Sequence, residues 1–174
     1  MISSALYLFF ITLRDFFSKR FKNLAQNTAH FGFSLLILSI LFNSLFSSEI
    51  ITNLKVGQTF ENTKAKIVFE SLIQKEGENY KSIIGNFIVQ DSKGKIENLS
   101  PELRIYNQPN ITTSEADIKT TLLSDKFIVI NLVQNQEFFN VRYQVKPFML
   151  WIWISVILIS FGGLISFVKK EYEK

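Results

Sequence analysis

Apolar side chains are concentrated in blocks along this chain and do not recur evenly. The two longest blocks, residues 23–48 and 147–168, contain no charged side chain. Each exceeds the ~20 residues that a helix needs to cross a hydrocarbon layer of about 30 Å. A helix also satisfies its own backbone hydrogen bonds in lipid. The pattern therefore predicts a membrane protein with two full transmembrane helices, at residues 28–48 and 147–168.

A third apolar block, residues 1–13, is too short to cross a bilayer alone. A signal peptide has basic residues before its apolar region, whereas here Arg14, Lys19 and Arg20 come after it. We therefore predict a short N-terminal apolar helix, either the end of a span or an interfacial helix.

The segment between the two predicted spans, residues 49–146, is rich in β-branched and aromatic residues. About 98 residues are enough for one small domain with its own core. We predict a β-rich domain whose strands cover residues 65–73, 83–90, 103–106, 127–133 and 138–145.

Turn and helix signals punctuate this domain. Residues 91–95 carry a glycine suited to a positive φ angle and predict a turn, and residues 134–136 are expected to close a last hairpin. In residues 112–121, Ser114 is followed by Glu115 and Asp117, which is typical of a helix start with acids in its first turn. A short helix is therefore predicted there, with both acids in structural roles.

The positive charge lies at the borders of the predicted spans. Residues 14–22 hold four basic residues and one acid, residues 169–174 hold three and two, and the middle segment is neutral. The positive-inside rule then places a basic loop, residues 14–27, and the tail, residues 169–174, in the cytoplasm, and makes the middle domain periplasmic. The location would be the inner (plasma) membrane, or the mitochondrial inner membrane in an organelle. Topology accounts for the basic charge, so we expect no nucleic-acid partner.

The middle domain carries no recognisable catalytic set. The chain has no cysteine and one histidine, His30, which lies in the first predicted span. The domain therefore lacks the usual nucleophile and base pair, and this disfavours a free-standing membrane enzyme.

His30 has two interpretations. It lies toward the cytoplasmic end of its span, where an imidazole could bond a neighbour or a lipid headgroup. It could also bind a metal, because an ionisable side chain at membrane depth indicates function and neutral imidazole is a common haem-iron ligand. Met149 lies at the opposite face of the membrane, so a second axial ligand would have to come from another subunit.

Two features mark the second predicted span. Trp151 and Trp153 lie in its first turns, where amphipathic rings are typical of an interfacial anchor. Gly162 and Gly163 lie deep in the same span, where absent side chains allow another helix to approach closely.

Several segments together resemble the C-terminal part of the CcmF family, the haem-lyase membrane subunit of bacterial cytochrome c maturation. The resemblance covers nearly the whole chain and depends on the order and spacing of its parts. These are Ala29-His30-Phe31-Gly32, residues 104–107, residues 113–118, residues 145–153 and Gly162-Gly163-Leu164.

The resemblance implies a membrane-embedded b-type haem and the attachment of haem to apocytochrome c on the outer face. It implies that His30 is one of two axial ligands of the embedded haem b, which is shared with a partner chain. The implied partners are an N-terminal portion of the lyase on another chain, other maturation subunits, a haem chaperone, apocytochrome c and membrane lipid.

The sequence also departs from the family, whose members are several times longer. Their tryptophan-rich outward segment and outward-facing histidines have no counterpart here. We therefore expect the C-terminal piece of a split or truncated lyase, without a complete active site. The alternative is a non-catalytic membrane-anchored scaffold whose outer β domain binds partner subunits.

Overall fold

The computed structural model describes residues 2–17, 24–133 and 137–172, except for the side chains of residues 169–172. Within these ranges three helices occur, two of them long and apolar enough to cross a membrane, over Leu24–Phe46 and Met149–Val168. The predicted hairpin at residues 134–136 lies outside the described residues. The helices are α1 (Ile2–Phe17), α2 (Leu24–Phe46) and α3 (Met149–Tyr172).

The helix boundaries differ from the sequence prediction at the basic loop. Helix α1 continues to Phe17 and α2 already begins at Leu24, so much of the predicted loop at residues 14–27 is helical. Charged residues such as Arg14 are good helix formers, and charge therefore marks the edge of an apolar block and not the end of a helix.

The chain divides into two units. The helical unit contains the three helices and the segment Thr120–Asp125, while the β unit contains Ser48–Lys119 and Lys126–Val145. The strands are β1 (Ser48–Leu54), β2 (Thr59–Glu61), β3 (Ala65–Glu76), β4 (Tyr80–Asp91), β5 (Ile96–Leu99), β6 (Glu102–Tyr106), β7 (Thr112–Glu115), β8 (Asp117–Thr120), β9 (Ser124–Leu132) and β10 (Phe139–Pro147).

The strands form two sheets, with the orders β1-β10-β9-β8 and β2-β3-β4-β6-β7, and β5 pairs with β4. Alternate side chains enter one hydrophobic core because successive residues of a strand point to opposite faces. Phe69 and Phe87 stack in this core with ring centroids 4.3 Å apart, and Ile128 and Ile130 are fully buried.

All five predicted strands are present, most of them longer than predicted. The predicted turn is also present: Gly94 has φ 80°, and the Asp91 N–H donates to the Lys95 carbonyl at 3.0 Å. Strands β1, β2 and β5 were not predicted, because short segments with mixed polarity carry little periodicity of their own.

The helix predicted at residues 112–121 is wrong, since this segment forms β7 and β8. Strand β7 pairs antiparallel with β6, from Thr112 opposite Ile105 to Glu115 opposite Glu102. The Asp117 carboxylate accepts a hydrogen bond from the Ser100 N–H at 2.6 Å instead of a bond within a helix start. Pairing with a sheet edge therefore overrides a weak local helix signal.

Candidate functional site

Helices α2 and α3 approach each other closely through small residues. A Cβ atom at Gly162 would lie 2.7 Å from the Cβ and N atoms of Ala29, and one at Gly32 would lie 3.0 Å from Ile159 and Leu158. Small residues at such spacing allow two backbones to pack directly. The close approach expected at Gly162 therefore occurs inside this chain, whereas Gly163 faces open space.

Helix α1 packs against another face of α2. The hydroxyl groups of Thr12 and Ser34 are 2.5 Å apart and both side chains are buried. The Phe31 ring lies 5.8 Å from the Phe9 ring and 5.0 Å from the Phe16 ring, measured between centroids. Together with the contacts to α3, these contacts fix the rotation of α2 about its axis.

That rotation turns His30 outward. The side chain is exposed, and Gln26, Phe33 and Ile40 on the same helix are exposed as well. Spacings of four, three and seven residues put these four positions on one stripe of the helix, which we call the His30 face. No residue in the described part of the chain makes a hydrogen bond or ion pair with His30.

The imidazole is thus not a packing residue satisfied by its neighbours in this helical unit. It is an ionisable group on a largely apolar span, and its side chain is exposed. A neutral imidazole in this situation can bind a metal through one nitrogen and donate a hydrogen bond through the other.

Met149 lies at the far end of the helix pair from His30. The Asn43 side chain donates to the Pro147 carbonyl at 2.6 Å, which joins the end of α2 to the start of α3. The thirteen residues from His30 to Asn43 span ~20 Å of helix at about 1.5 Å each. His30 and Met149 therefore cannot bind the two faces of one iron.

The donor chemistry fits one axial position of a haem. Within the described residues no group of three or more histidine, cysteine or acidic side chains could hold a bare metal ion. A single imidazole on an apolar helix face suits a cofactor that brings four ligands of its own and needs only axial ones.

Comparison with known proteins identifies the β unit. Residues 45–147 match the family model described as the CcmF C-terminal beta-sandwich. This chain belongs to the CcmF family. Its β unit is accordingly a β-sandwich, accompanied by two apolar helices that could span a membrane.

The relatives of this CcmF family member are proteins of cytochrome c biogenesis. The chain is 28% identical over 145 residues to the cytochrome c-type biogenesis protein CcmF of Pseudomonas aeruginosa, covering 83% of this chain and 22% of that protein. It is 31% identical to ccl1 of Rhodobacter capsulatus, with the same coverage. NrfE of Haemophilus influenzae is 24% identical over 100% of this chain and 28% of its own length.

The fold also matches a solved structure, the cytochrome c heme lyase CcmF, with a TM-score of 0.66 and 15% sequence identity. The match covers 92% of this chain and 28% of that protein. The chain thus spans 22% to 28% of the length of the relatives named above.

The residues of the CcmF-like segment 104–107 have structural roles in the sandwich. Arg104 donates to both carboxylate oxygens of Glu102, at 2.9 and 3.0 Å, and the Ser82 hydroxyl donates to the same carboxylate at 2.6 Å. The hydrogen bonds from Arg104 lower the pKa of the Glu102 carboxyl most, and the one from Ser82 lowers it further. The Arg104 guanidinium also lies over the Tyr80 ring, 5.2 Å from its centroid.

A buried charge cluster joins strands β4, β5 and β9 of the sandwich. Lys126 lies 3.1 Å from Asp91 and 3.0 Å from Glu97, and Lys95 lies 2.7 Å from Glu97. Burial disfavours the ionised carboxylates, but the lysine bonds outweigh it and lower the pKa of Asp91 and of Glu97. Beside them, burial raises the pKa of Tyr143 to about 12.

The segment Thr120–Asp125 belongs to the helical unit, which no sequence pattern indicated. We call this segment the Leu122 loop. The Trp151 indole donates to the Leu122 carbonyl at 2.8 Å, and the Phe148 N–H donates to the Leu123 carbonyl at 2.9 Å. The expected interfacial tryptophan is thus also a contact that holds a loop.

Proposed function

We propose that this chain is a membrane component of a cytochrome c haem lyase, in which His30 is an axial ligand of a membrane-embedded b-type haem. The observation that carries the proposal is the outward-facing imidazole, which has no partner in the described part of its own chain. Membership of the CcmF family supplies the chemical context.

In this proposal α2 and α3 cross the inner membrane and the sandwich faces the periplasm. The support is the charge distribution, because residues 14–22 carry a net +3 and residues 169–174 a net +1. His30 then lies six residues after the start of α2, about 9 Å along the helix and toward the cytoplasmic side.

The haem needs a ligand from outside these 174 residues. His30 is their one histidine, and Met149 is at the wrong end of the helix pair, so the second axial ligand comes from elsewhere in the lyase. An N-terminal portion of the lyase is the source that we propose, and we call it the complementing chain. Further proposed contacts are other maturation subunits, the haem chaperone and apocytochrome c.

The packing of α2 against its neighbouring helices orients His30, the proposed axial ligand. Gly32 and Gly162 bring α2 against α3, Thr12 and Ser34 bring it against α1, and together they direct the His30 face away from both. The bound haem would supply redox chemistry at its iron, while apolar neighbours on that face such as Phe33 would keep water away from it.

The test is the absorption spectrum of the complex purified with the complementing chain. Wild-type complex should show a low-spin haem spectrum, and His30→Ala should lose or greatly weaken it because one axial ligand is gone. Gln26→Ala is the matched control, since it removes a polar side chain one turn away on the same face. An unchanged spectrum in His30→Ala would rule out the ligand assignment.

A further inference from the structure

The Leu122 loop exposes two large apolar side chains. Leu122 and Leu123 are 68% and 67% exposed, so neither is used in either unit's core. Their neighbours in the loop are turned inward: the Thr121 hydroxyl donates to the Ser124 carbonyl at 2.8 Å, and one carboxylate oxygen of Asp125 is shielded from solvent. The tip of the loop therefore presents leucine to its surroundings.

The backbone of this tip is prepared for an environment poor in water. The Leu122 carbonyl accepts from the Trp151 indole, the Leu123 carbonyl accepts from the Phe148 N–H, and the Ser124 carbonyl accepts from the Thr121 N–H at 3.0 Å. A carbonyl that enters lipid without a donor costs several kcal/mol. These three carbonyls already have donors within the helical unit.

The expected depth of the Leu122 loop in the membrane follows from its hydrogen bond with Trp151. An indole in the first turn of a span lies at the level of the lipid headgroups, and a hydrogen bond of 2.8 Å places the Leu122 backbone at that level too. Two residues further along the same helix, Trp153 is 62% exposed.

We propose that the Leu122 loop inserts Leu122 and Leu123 into the outer leaflet beside α3 and is a lipid-binding anchor. This inference rests on the proposed function, since it needs α3 to span the membrane. The occupant of the surface is phospholipid, because the loop offers exposed apolar side chains and satisfied carbonyls at the level of the Trp151 indole.

The absence of cysteine from the chain permits a direct test by single-cysteine labelling. Leu122→Cys and Leu123→Cys, each carrying a polarity-sensitive fluorophore, are reconstituted in phosphatidylcholine–phosphatidylglycerol vesicles. Brominated phospholipid is the quencher from the membrane, and iodide is the quencher from water. Ile96→Cys, at a sandwich position that is 61% exposed, is the matched control for an apolar residue in water.

We expect labels at Leu122 and Leu123 to emit at shorter wavelength than the label at Ile96 and to lose emission with brominated lipid but not with iodide. Phe161→Cys on the exposed surface of α3 reports on membrane insertion itself. If iodide quenches both loop labels while lipid quenches Phe161, the loop inference is overturned and the span stands. If neither quencher reaches the loop, a protein covers it and the lipid assignment is overturned. If lipid fails to quench Phe161, the spanning helix and the loop inference fall together.

Discussion

Two adjacent glycines of α3 have opposite environments. A Cβ atom at Gly162 would meet Ala29 at 2.7 Å and the Ala25 carbonyl at 2.8 Å, whereas one at Gly163 would meet nothing within 4 Å. We predict that Gly162→Ala destabilises the helical unit by about 1–3 kcal/mol, because backbone atoms cannot move aside without separating the helices. The measurement is thermal unfolding of the detergent-solubilised chain.

Gly163→Ala is the matched control, because it brings the same gain in helix propensity of about 1 kcal/mol without a clash. It should leave the unfolding temperature unchanged or raise it. Equal effects of the two substitutions would contradict the close approach of α2 to α3.

At the residue scale the sequence foretold that a glycine pair allows close packing, but not which glycine does so or against what. The sequence also could not predict the direction in which the His30 side chain points. Periodicity alone could not decide whether the imidazole faces α1, α3 or neither, because every face of α2 is largely apolar. The rotation depends on partners such as Gly162 that are far away in sequence.

At the scale of elements, Lys126 joins β9 to β4 and β5 through Asp91 and Glu97. Replacing it by methionine leaves the Glu97 side chain, which is 4% exposed, with Lys95 alone. We predict that Lys126→Met lowers the free energy of unfolding of the sandwich by about 1.5–3 kcal/mol, because Asp91 and the buried Glu97 each lose a charged partner. Urea unfolding followed by circular dichroism would measure this.

Lys66→Met provides the comparison, since Lys66 pairs with Glu61 at 3.1 Å on the surface. Exposed pairs contribute about 0–1 kcal/mol, so the variant should unfold close to wild type. If Lys126→Met lowered the free energy of unfolding by no more than Lys66→Met does, the buried cluster would contribute little to the stability of the sandwich.

The same cluster predicts how stability depends on pH. Lowered pKa values of Asp91 and Glu97 stabilise the fold above the ordinary carboxyl range of about 4, and this contribution is lost as pH falls through the lowered values. Tyr143 affects stability at alkaline pH. Its pKa of about 12 makes stability decline as pH rises above the ordinary tyrosine value of about 10.

We therefore expect urea midpoints that are flat between these limits and fall outside them. Glu97→Gln should flatten the acid side of the profile because its neutral amide does not titrate in this range, and it should leave the alkaline side in place. An acid side as steep as that of wild type would assign the acid sensitivity to other groups.

The elements show where sequence patterns are informative. Long strands such as β3 and β9 can be predicted because they are rich in β-branched and aromatic residues. The helix prediction at residues 112–121 was wrong because Ser, Glu and Asp occur both at helix starts and at sheet edges. The partner strand β6 determines that β7 forms there. Strand β5 is four residues long and exists because β4 lies beside it.

At the scale of the whole molecule, topology is the part of the proposal that charge alone supports. We predict that Ser92→Cys, in the turn after β4, reacts with a membrane-impermeant maleimide in intact cells because the sandwich is periplasmic. Asp15→Cys, in the basic flank, should react only after the cells are permeabilised. The reverse result would place the sandwich in the cytoplasm.

Membership of the CcmF family and a β-rich middle domain could be predicted from the sequence, because the order and spacing of several weak segments carry the resemblance and β-branched residues mark the strands. The attachment of the Leu122 loop to the helical unit could not be predicted. It depends on bonds from Trp151 and Phe148 to a segment about 25 residues earlier, and no local pattern encodes such pairing.

The most direct test of the central claim is chemical rescue at His30. In the complex with its complementing chain, His30→Gly should lose the low-spin haem spectrum, and added imidazole should restore it by occupying the vacated axial position. The Gln26→Gly complex should keep its spectrum and not respond to imidazole. A low-spin spectrum in His30→Gly without imidazole would show that another residue binds the iron and would contradict the account.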